Sequence, residues 1–233
     1  MIPAHNEEEF IGPCLDSVVK NSAGIFKEII VVDNASSDET ARVAAMYPDV
    51  RVVREERKGL TIARQTGFDA TTAAFVAYMD GDSRLDAQWL QKAERLINRY
   101  PKAVSWSGPV YYYDATNGLW NIILSVGWWV TAPLMYRITG YMVLGGNFVV
   151  RRTAIVAIGG FDPSVSFYGE DMTLAKRLHT KGKTVFSMGF FGLTSARRFV
   201  QEGYLTTNMR YVMNYVWPVL FGRPYHQGYT DVR

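Results

Sequence analysis

The chain has 233 residues, of which 48% are hydrophobic and 20% charged, enough apolar side chain to bury the core of one domain. This composition excludes disorder over most of the length. A formal net charge of +3 and a sequence pI near 8.9 are too weak to indicate a nucleic acid partner, but they are compatible with phosphate ligands or an anionic membrane surface. The single cysteine, Cys14, excludes an internal disulfide. No signal peptide is visible at the acidic amino terminus, so we expect a cytoplasmic protein.

Strand and helix patterns alternate through the first eighty residues. Short apolar runs predict strands over 1–6, 28–32, 50–54 and 74–79. Apolar residues at helical spacing predict helices over 7–21, 37–47 and 60–72. Cys14 lies on the apolar face of the first helix, which indicates a packed core thiol. The alternation is typical of an α/β fold with a mostly parallel sheet and helices on both faces.

One stretch, FVAYMDGDS at 75–83, carries two carboxylates directly after a buried strand. Ligands of open α/β sheets lie at this carboxyl edge. Asp80 and Asp82 can share a divalent cation there, and Gly81 lets a phosphate approach the backbone. A surface turn is the plainer interpretation, since Asp and Gly are common turn residues. However, polar loops follow two other predicted strands, at 4–7 and 33–36, and their recurrence at one edge favours a ligand pocket.

Five segments together resemble the family 2 glycosyltransferases, which have the GT-A nucleotide-sugar fold. These segments are IPAHNEEEFIGPCLDSV, EIIVVDNASSDET, KGLTIARQTGFDAT, FVAYMDGDS and GGFDPSVSFYGEDMTLAKRLHTKG. The resemblance divides the chain into a Rossmann-like catalytic domain over 1–199, with an apolar helical insertion, and a helical tail over 200–233. Members usually carry four or five apolar residues before the IPAHNEE motif, whereas only Met1 and Ile2 precede its proline here, so either the chain is trimmed or misstarted, or its first strand is unusually short.

The resemblance also implies roles for individual residues. Asp80 and Asp82 would form the DxD motif, which holds the ribose and a Mg or Mn ion on the diphosphate. Of the Glu170 and Asp171 pair, Asp171 would be the catalytic base, and Asp33 would meet the nucleotide base. The other implied nucleotide contacts are Pro3, Ala4 and Glu7.

The chemistry of glycosyl transfer agrees with these roles. A divalent metal neutralises the growing charge of a diphosphate leaving group, and Asp82 is the first expected ligand. The acceptor hydroxyl loses a proton as it attacks, so a carboxylate is needed on the face of the sugar carbon opposite the leaving group. Asp171 begins a helix with an apolar face, which would hold it firmly, although helix capping is the commoner use of an acid there. One displacement from the far side predicts inversion of the anomeric configuration.

Three arginines are expected near the phosphates. Arg64 lies in LTIARQTG, which resembles the family's ARN motif with Gln65 in place of asparagine, and we assign it to nucleotide binding; an exposed helix arginine is the alternative. Arg197 and Arg198 follow a predicted strand and could bind the diphosphate through their forked donors. Many relatives have a histidine near this point, and its absence leaves the third metal contact open.

A glycine pair marks the expected acceptor side of the site. The stretch YMVLGGNFVVRR at 141–152 resembles the family's acceptor segment. Gly145 and Gly146 would allow the backbone to approach the donor sugar closely. Asn147 could then bond a sugar hydroxyl. The lone histidines His5 and His179 are interpreted as structural rather than as metal ligands.

The stretch 118–136 is the least family-like and has no charged residue. Its length approaches a membrane span, but Pro133 and several polar residues weaken that interpretation, and a crossing here would separate the DxD motif from Asp171. Its tryptophans, with Arg137 just beyond, suit a water–lipid interface. We therefore expect 118–140 to contact a membrane and guide a lipid-linked acceptor. A buried helical hairpin or a dimer interface is the alternative.

Three functions are compatible with these patterns. The favoured one is transfer of a sugar from a UDP sugar or another nucleotide sugar to a lipid-linked or cell-envelope glycan, at the inner face of the plasma membrane. A nucleotidyltransferase should carry a glycine-rich, basic phosphate loop after its first strand, and no such loop is present. A non-catalytic partner subunit is disfavoured by the intact Asp82 and Asp171. Homo-oligomerisation stays open.

Overall fold

A computed structural model describes residues 1–22, 24–115, 118–165 and 169–221. The first half alternates strands and helices: β1 (Ile2–Ala4), α1 (Ile11–Ser22), β2 (Ile29–Asn34), α2 (Thr40–Ala45), β3 (Val50–Glu55), α3 (Leu60–Asp69), β4 (Phe75–Tyr78) and α4 (Trp89–Arg99). The second half contains β5 (Ser105–Ser107), β6 (Val110–Tyr112), α5 (Gly118–Thr139), β7 (Phe148–Arg151), α6 (Arg152–Ala157), α7 (Glu170–His179), β8 (Thr184–Phe186), β9 (Gly192–Thr194), α8 (Arg197–Glu202) and α9 (Tyr204–Phe221). Only the backbone is described for 118–128, 215 and 218–220.

The strands form three sheets of mostly parallel pairing. In the first sheet β1, β2 and β3 are all parallel. The second has the order β4-β7-β5-β8, in which β7 runs antiparallel to both neighbours. The third pairs β6 with β9 in parallel. Met1 joins the first two sheets edge to edge, because its carbonyl accepts from Met79 N (3.3 Å) and its amino group donates to Ala77 O (2.8 Å).

Helices cover both faces of this layer, as the sequence predicts. On one face α1 and α4 pack on β1 and β2 through a core that includes Cys14, Leu15 and Trp89. On the other face α3, α6 and α7 pack on β2, β4 and β7. Burial raises the pKa of the Cys14 thiol, which agrees with the expected inert core thiol. The buried faces thus leave the strand ends as the place for polar side chains.

The segment 118–140 is one helix, α5, over most of its length. Its second half packs inward through Ala132 and Tyr136, and Tyr136 Oη donates to Thr184 O (2.7 Å). Within the described residues, no helix is both long enough and apolar enough to cross a bilayer. The predicted tail is two helices, because Gly203 takes a left-handed φ of 87° between α8 and α9. Residues from 222 onward, which we expect to be loosely ordered, lie outside the described part of the chain.

Candidate active site

The loops after β1 and β2 lie at the same sheet edge and are tied to each other. Asn6 N donates to Ser36 Oγ (3.0 Å), and Glu7 N donates to Thr40 Oγ1 (2.7 Å). Asn6 and Ala35 both adopt left-handed backbone angles, with φ of 51° and 55°, which is uncommon outside glycine. These contacts hold the Glu7 side chain at the carboxyl edge, where the sequence predicts it.

The first of two charged clusters lies beside these loops. Arg197 Nη2 is 2.5 Å from Glu7 Oε1 and 3.0 Å from Asp82 Oδ2. Thr194 Oγ1 donates to Asp82 Oδ1 (3.1 Å), and the Arg197 guanidinium lies 4.4 Å from the Phe10 ring centre. We call Glu7, Asp82 and Arg197 the Arg197 cluster. It gathers residues that are far apart in the chain, because β9 ends next to the loop that follows β4.

The second cluster is built around an arginine that is only 1% exposed. Arg64 Nη1 lies 3.3 Å from Glu170 Oε1 and 3.5 Å from Asp171 Oδ1. Its Nη2 lies 3.8 Å from Asp80 Oδ1. We call Arg64, Glu170 and Asp171 the Arg64 cluster, and Asp80 is the carboxylate that connects it to the rest of the site. A buried charge of this kind is tolerated only when it is paired.

Burial, and then the negative charge of Asp171, raise the pKa of Glu170 well above its ordinary value, so its protonated form is favoured. Burial opposes the charge on Arg64, but the neighbouring carboxylates outweigh it and raise its pKa. The first turn of α7 is preceded by Gly169 in a left-handed conformation, without a side-chain cap. Asp171 Oδ2 accepts instead from Gly145 N (2.8 Å). Helix capping, the commoner use of such acids, is therefore not the role that the structure gives Asp171.

Gly145 and Gly146 separate the two acidic sides of the site. A Cβ atom on Gly145 would overlap Arg64 Nη2 and Asp171 Oδ1, and one on Gly146 would lie 2.7 Å from Asp80 Oδ2. The Arg64, Asp171 and Asp80 side chains thus fill part of the space next to this glycine pair, where we expect a donor sugar. The pair lets an acidic group approach the backbone closely from each side.

Asp33 lies at the end of β2 and is fully buried. Its Oδ2 contacts Arg54 Nη1, while its Oδ1 has no hydrogen-bond partner in the described part of the chain. Pro3 and Ala4 are the neighbouring positions of β1, with Ala4 in register with Asp33. The predicted nucleotide residues therefore lie together, with a buried acceptor among them.

Three further predicted site residues have clear partners in the structure. Arg64 contacts Asp171 and Asp80, and it does not contact Asp33. Arg198 pairs with Glu202 on its own helix (2.8 Å), whereas Arg197 faces the site. Asn147 is 1% exposed, accepts from Trp89 Nε1 (2.7 Å) and donates to Phe190 O (2.8 Å). The structure therefore uses the Asn147 amide to join β7 to its neighbours, in place of the expected sugar contact.

Two residues of the site are missed by the sequence analysis. Arg54 pairs with Asp33 because β3 is parallel to β2 with these two residues in register. Thr194 reaches Asp82 from the end of β9. Arg54 stands near the end of a predicted strand, as Asp33 does. This equivalent position in two neighbouring strands could have identified Arg54 from the sequence. Thr194 has no comparable signal. It lies at the end of β9, and β9 pairs with β6 over only three residues of each strand, which is too short a pattern to recognise in the sequence.

Comparison with known proteins gives a consistent result. The family model for glycosyl transferase family 2 matches residues 1–159. Glycosyltransferase AglE of Haloferax volcanii is 34% identical over 104 residues, which cover 42% of this chain and 34% of AglE. The mannosyltransferase PcManGT from Pyrobaculum calidifontis, solved with GDP-Man and Mn²⁺, superposes with a TM-score of 0.70 at 18% identity, covering 96% of this chain and 64% of that one.

A second solved structure shares the fold. Glucosyl-3-phosphoglycerate synthase from Mycobacterium tuberculosis, in complex with Mn²⁺, UDP-Glc and phosphoglyceric acid, has a TM-score of 0.62 at 19% identity, covering 93% of this chain and 77% of that one. These likenesses show the GT-A fold, and the chain spans only about a third of the length of AglE. Because the family model covers more than half of the chain, the protein belongs to glycosyl transferase family 2.

Proposed function

We propose that this chain is an inverting glycosyltransferase that moves a sugar from a nucleoside diphosphate sugar, with a UDP sugar favoured, to a hydroxyl of a lipid-linked or cell-envelope glycan. One observation carries the proposal. A carboxylate held by a backbone N–H, Asp171, lies on one side of the Gly145–Gly146 pair, and the first aspartate of the DxD motif, Asp80, lies on the other. This arrangement supports an acceptor side and a donor side within one site.

At the nucleotide end, Asp33 is proposed to accept a hydrogen bond from the base. Its buried Oδ1 has no hydrogen-bond partner among the described residues, and leaving such an acceptor unsatisfied is costly. The N3–H of uracil or the N1–H of guanine would satisfy it, whereas N3 of cytosine is an acceptor and would not. Arg54 is half exposed and contacts Asp33, so its side chain is the one expected to move when the base enters.

At the diphosphate end, the residues present fit a divalent metal. Asp80 and Asp82 offer carboxylate oxygens, which suit Mg or Mn, and the Asp80 side chain is 41% exposed. The described residues contain no cluster of three metal-binding side chains, so the diphosphate is expected to complete the ligand set. When bound, the metal would neutralise charge on the leaving group. Arg197, which contacts Asp82, is proposed to turn towards the diphosphate at the same time.

At the acceptor end, Asp171 is proposed as the general base. Its Oδ2 is oriented by Gly145 N, and its Oδ1 faces Arg64. Glu170, whose pKa is raised by burial and by Asp171, would be neutral and therefore a poor nucleophile. One base without a second anionic carboxylate beside it supports a single displacement, which inverts the anomeric centre.

The outer face of α5 is proposed to contact the inner face of the plasma membrane. Val130, Leu134 and Ile138 lie along this face and are each more than half exposed, and Arg137 is exposed beside them. A row of apolar side chains with a cation at its end suits an anionic lipid surface. The test is sedimentation with vesicles of phosphatidylglycerol and phosphatidylcholine.

In that test, serine at Val130, Leu134 and Ile138 should abolish sedimentation. Serine at the equally exposed Ile25, Met46 and Val156 is the matched control and should leave it unchanged. If the two triple variants sediment alike, or if the chain forms a dimer through this face, the membrane assignment is wrong.

The donor side is tested by a thermal-shift panel of UDP, GDP, CDP and dTDP, with and without Mn²⁺. Binding to the native state raises its apparent stability by mass action. We expect one nucleotide to shift Tm only with the metal, and the shift to be lost in Asp82→Ala. Asp86→Ala, in the same loop but paired with Lys92, is the control. Absence of any nucleotide shift would contradict the proposal.

A further inference from the structure

Arg64 is the most deeply buried of the arginines described in the site, and it lies between Asp80 and the two carboxylates of α7. It is 1% exposed and points from α3 towards the start of α7 and the end of β4. The Phe148 ring lies 5.9 Å from its guanidinium carbon. A cation at such a place is stabilising only if the groups around it hold complementary charge.

The guanidinium divides its contacts between the two sides of the site. Nη1 faces the two carboxylates of α7, at 3.3 and 3.5 Å, and Nη2 faces Asp80 at 3.8 Å. Because the fork is rigid and planar, it sets the separation between the groups at its two ends. A lysine ammonium carries its three donors on one nitrogen at the end of a flexible chain, so it would not fix this separation.

The backbone at Gly145 lies directly against Arg64 and Asp171. Gly145 lies so close to Arg64 Nη2 and Asp171 Oδ1 that a single added carbon would overlap both. Asp171 is thus restrained by the Gly145 amide on one oxygen and faced by Arg64 on the other. Removing Arg64 would leave Asp171 with the Gly145 amide as its one restraint.

We infer that Arg64 is a positioning residue that couples the donor side to the acceptor side, holding Asp171 at a set distance from Asp80. The inference rests on the proposed role of Asp171 as base. Arg64 would then act mainly on the rate of transfer, because its closest carboxylates are Glu170 and Asp171 on α7, at 3.3 and 3.5 Å, whereas Asp80 on the donor side lies 3.8 Å away. A displacement of about 1 Å in a catalytic group can cost about 100-fold in rate.

The test compares Arg64→Lys and Arg64→Gln with the wild type in the release of nucleoside diphosphate from sugars linked to the nucleotide that binds in the thermal-shift panel. We expect kcat to fall about 30-fold or more in both variants while the donor KM stays within about threefold. Arg152→Lys is the matched control, since Arg152 donates to the Phe68 and Thr71 carbonyls and packs on the Phe68 ring. Arg64→Lys keeps the charge, so it is the variant to use if Arg64→Gln does not fold.

A double-mutant cycle separates positioning from a general structural effect. If Arg64 acts through Asp171, Arg64→Lys combined with Asp171→Asn should release nucleotide at about the rate of Asp171→Asn alone. Additive losses would overturn the inference, as would a rise in donor KM without a change in kcat. Full activity of Asp171→Asn would instead overturn the proposed base, and this outcome is distinguishable because it does not involve Arg64.

Discussion

The site contains two arginines that each lie between carboxylates, Arg197 and Arg64, and the two differ in burial. Arg197 begins a short helix near the surface, and its side chain is 13% exposed. Arg64 lies inside the sheet–helix interface at 1% exposed. A peripheral arginine can turn towards an incoming anion, whereas a buried one keeps its partners because moving it would leave charges unpaired. We therefore interpret the Arg197 cluster as the adaptable end of the site and the Arg64 cluster as the rigid end.

The largest effect is expected from removing the carboxylate of the rigid end. Asp171→Asn keeps the shape but removes the proposed base, and we expect nucleotide release to fall about 1,000-fold with the thermal shift by nucleotide and metal unchanged. Asp162→Asn is the control, because the Asp162 carboxylate bonds Ser164 outside the cluster. If Asp171→Asn also loses nucleotide binding, the rigid end contributes to binding as well, and the two ends of the site do not have separate roles.

Rigidity itself is tested next by Gly145→Ala. The added carbon would overlap Arg64 and Asp171. We therefore expect the free energy of unfolding to fall by about 1–3 kcal/mol and the rate of nucleotide release to fall about 100-fold. Gly189→Ala is the control, since a Cβ there meets Ser187 Oγ at an ordinary 3.8 Å. Wild-type stability and rate in Gly145→Ala would show that this end can rearrange.

The sequence predicts the fold far better than it predicts these two clusters. Alternating apolar runs suffice for β1 to β4 and their helices, because each strand is followed by a helix that covers it. The antiparallel β7 could not be recognised, since its three apolar residues, Phe148 to Val150, look alike in either direction.

The charged partners could not be predicted for a related reason. Asp80, Asp82 and Asp171 stand in motifs, but their arginines reach them across more than ten residues of sequence separation and through the packing of separate elements. Arg64 looks like an exposed helix residue until α7 is placed against α3. Arg197 and Arg198 are neighbours in sequence, and only the direction of α8 decides that the first faces Asp82 while the second faces Glu202.

The adaptable end is tested by Arg197→Gln, with a smaller expected effect. Without the guanidinium, Glu7 and Asp82 lose a cation that competes with a metal. We expect the affinity for Mn²⁺ alone, measured by calorimetry, to rise about three- to tenfold, while the affinity for nucleotide with metal falls. Arg198→Gln, next to it but paired with Glu202, should change neither. Unchanged Mn²⁺ affinity in Arg197→Gln would contradict a competing role.

The smallest effect on rate is expected from Glu170→Gln. Burial and Asp171 raise the pKa of Glu170 above its ordinary 4.5, so the neutral amide resembles the form already present, and the rate at pH 7 should stay within about threefold. Protonated Glu170 contributes fully to the stability of the fold at a pH below the pKa that this carboxyl has in the unfolded chain. The contribution is lost as the pH rises through the higher pKa that it has in the folded protein. Tm of Glu170→Gln should therefore fall less than that of the wild type as the pH is raised from 4.5 to 8. An activity loss as large as that of Asp171→Asn would make Glu170 the base.

The most direct test of the account is the configuration of the sugar that leaves the site. With UDP-glucose, whose glucose is α-linked, and water as the acceptor, proton NMR during the first minutes can distinguish the anomers before they equilibrate. A single displacement assisted by Asp171 predicts β-glucose as the first product. Release of α-glucose would require a second displacement and a nucleophile, and would contradict the assignment of the Arg64 cluster as a general-base site.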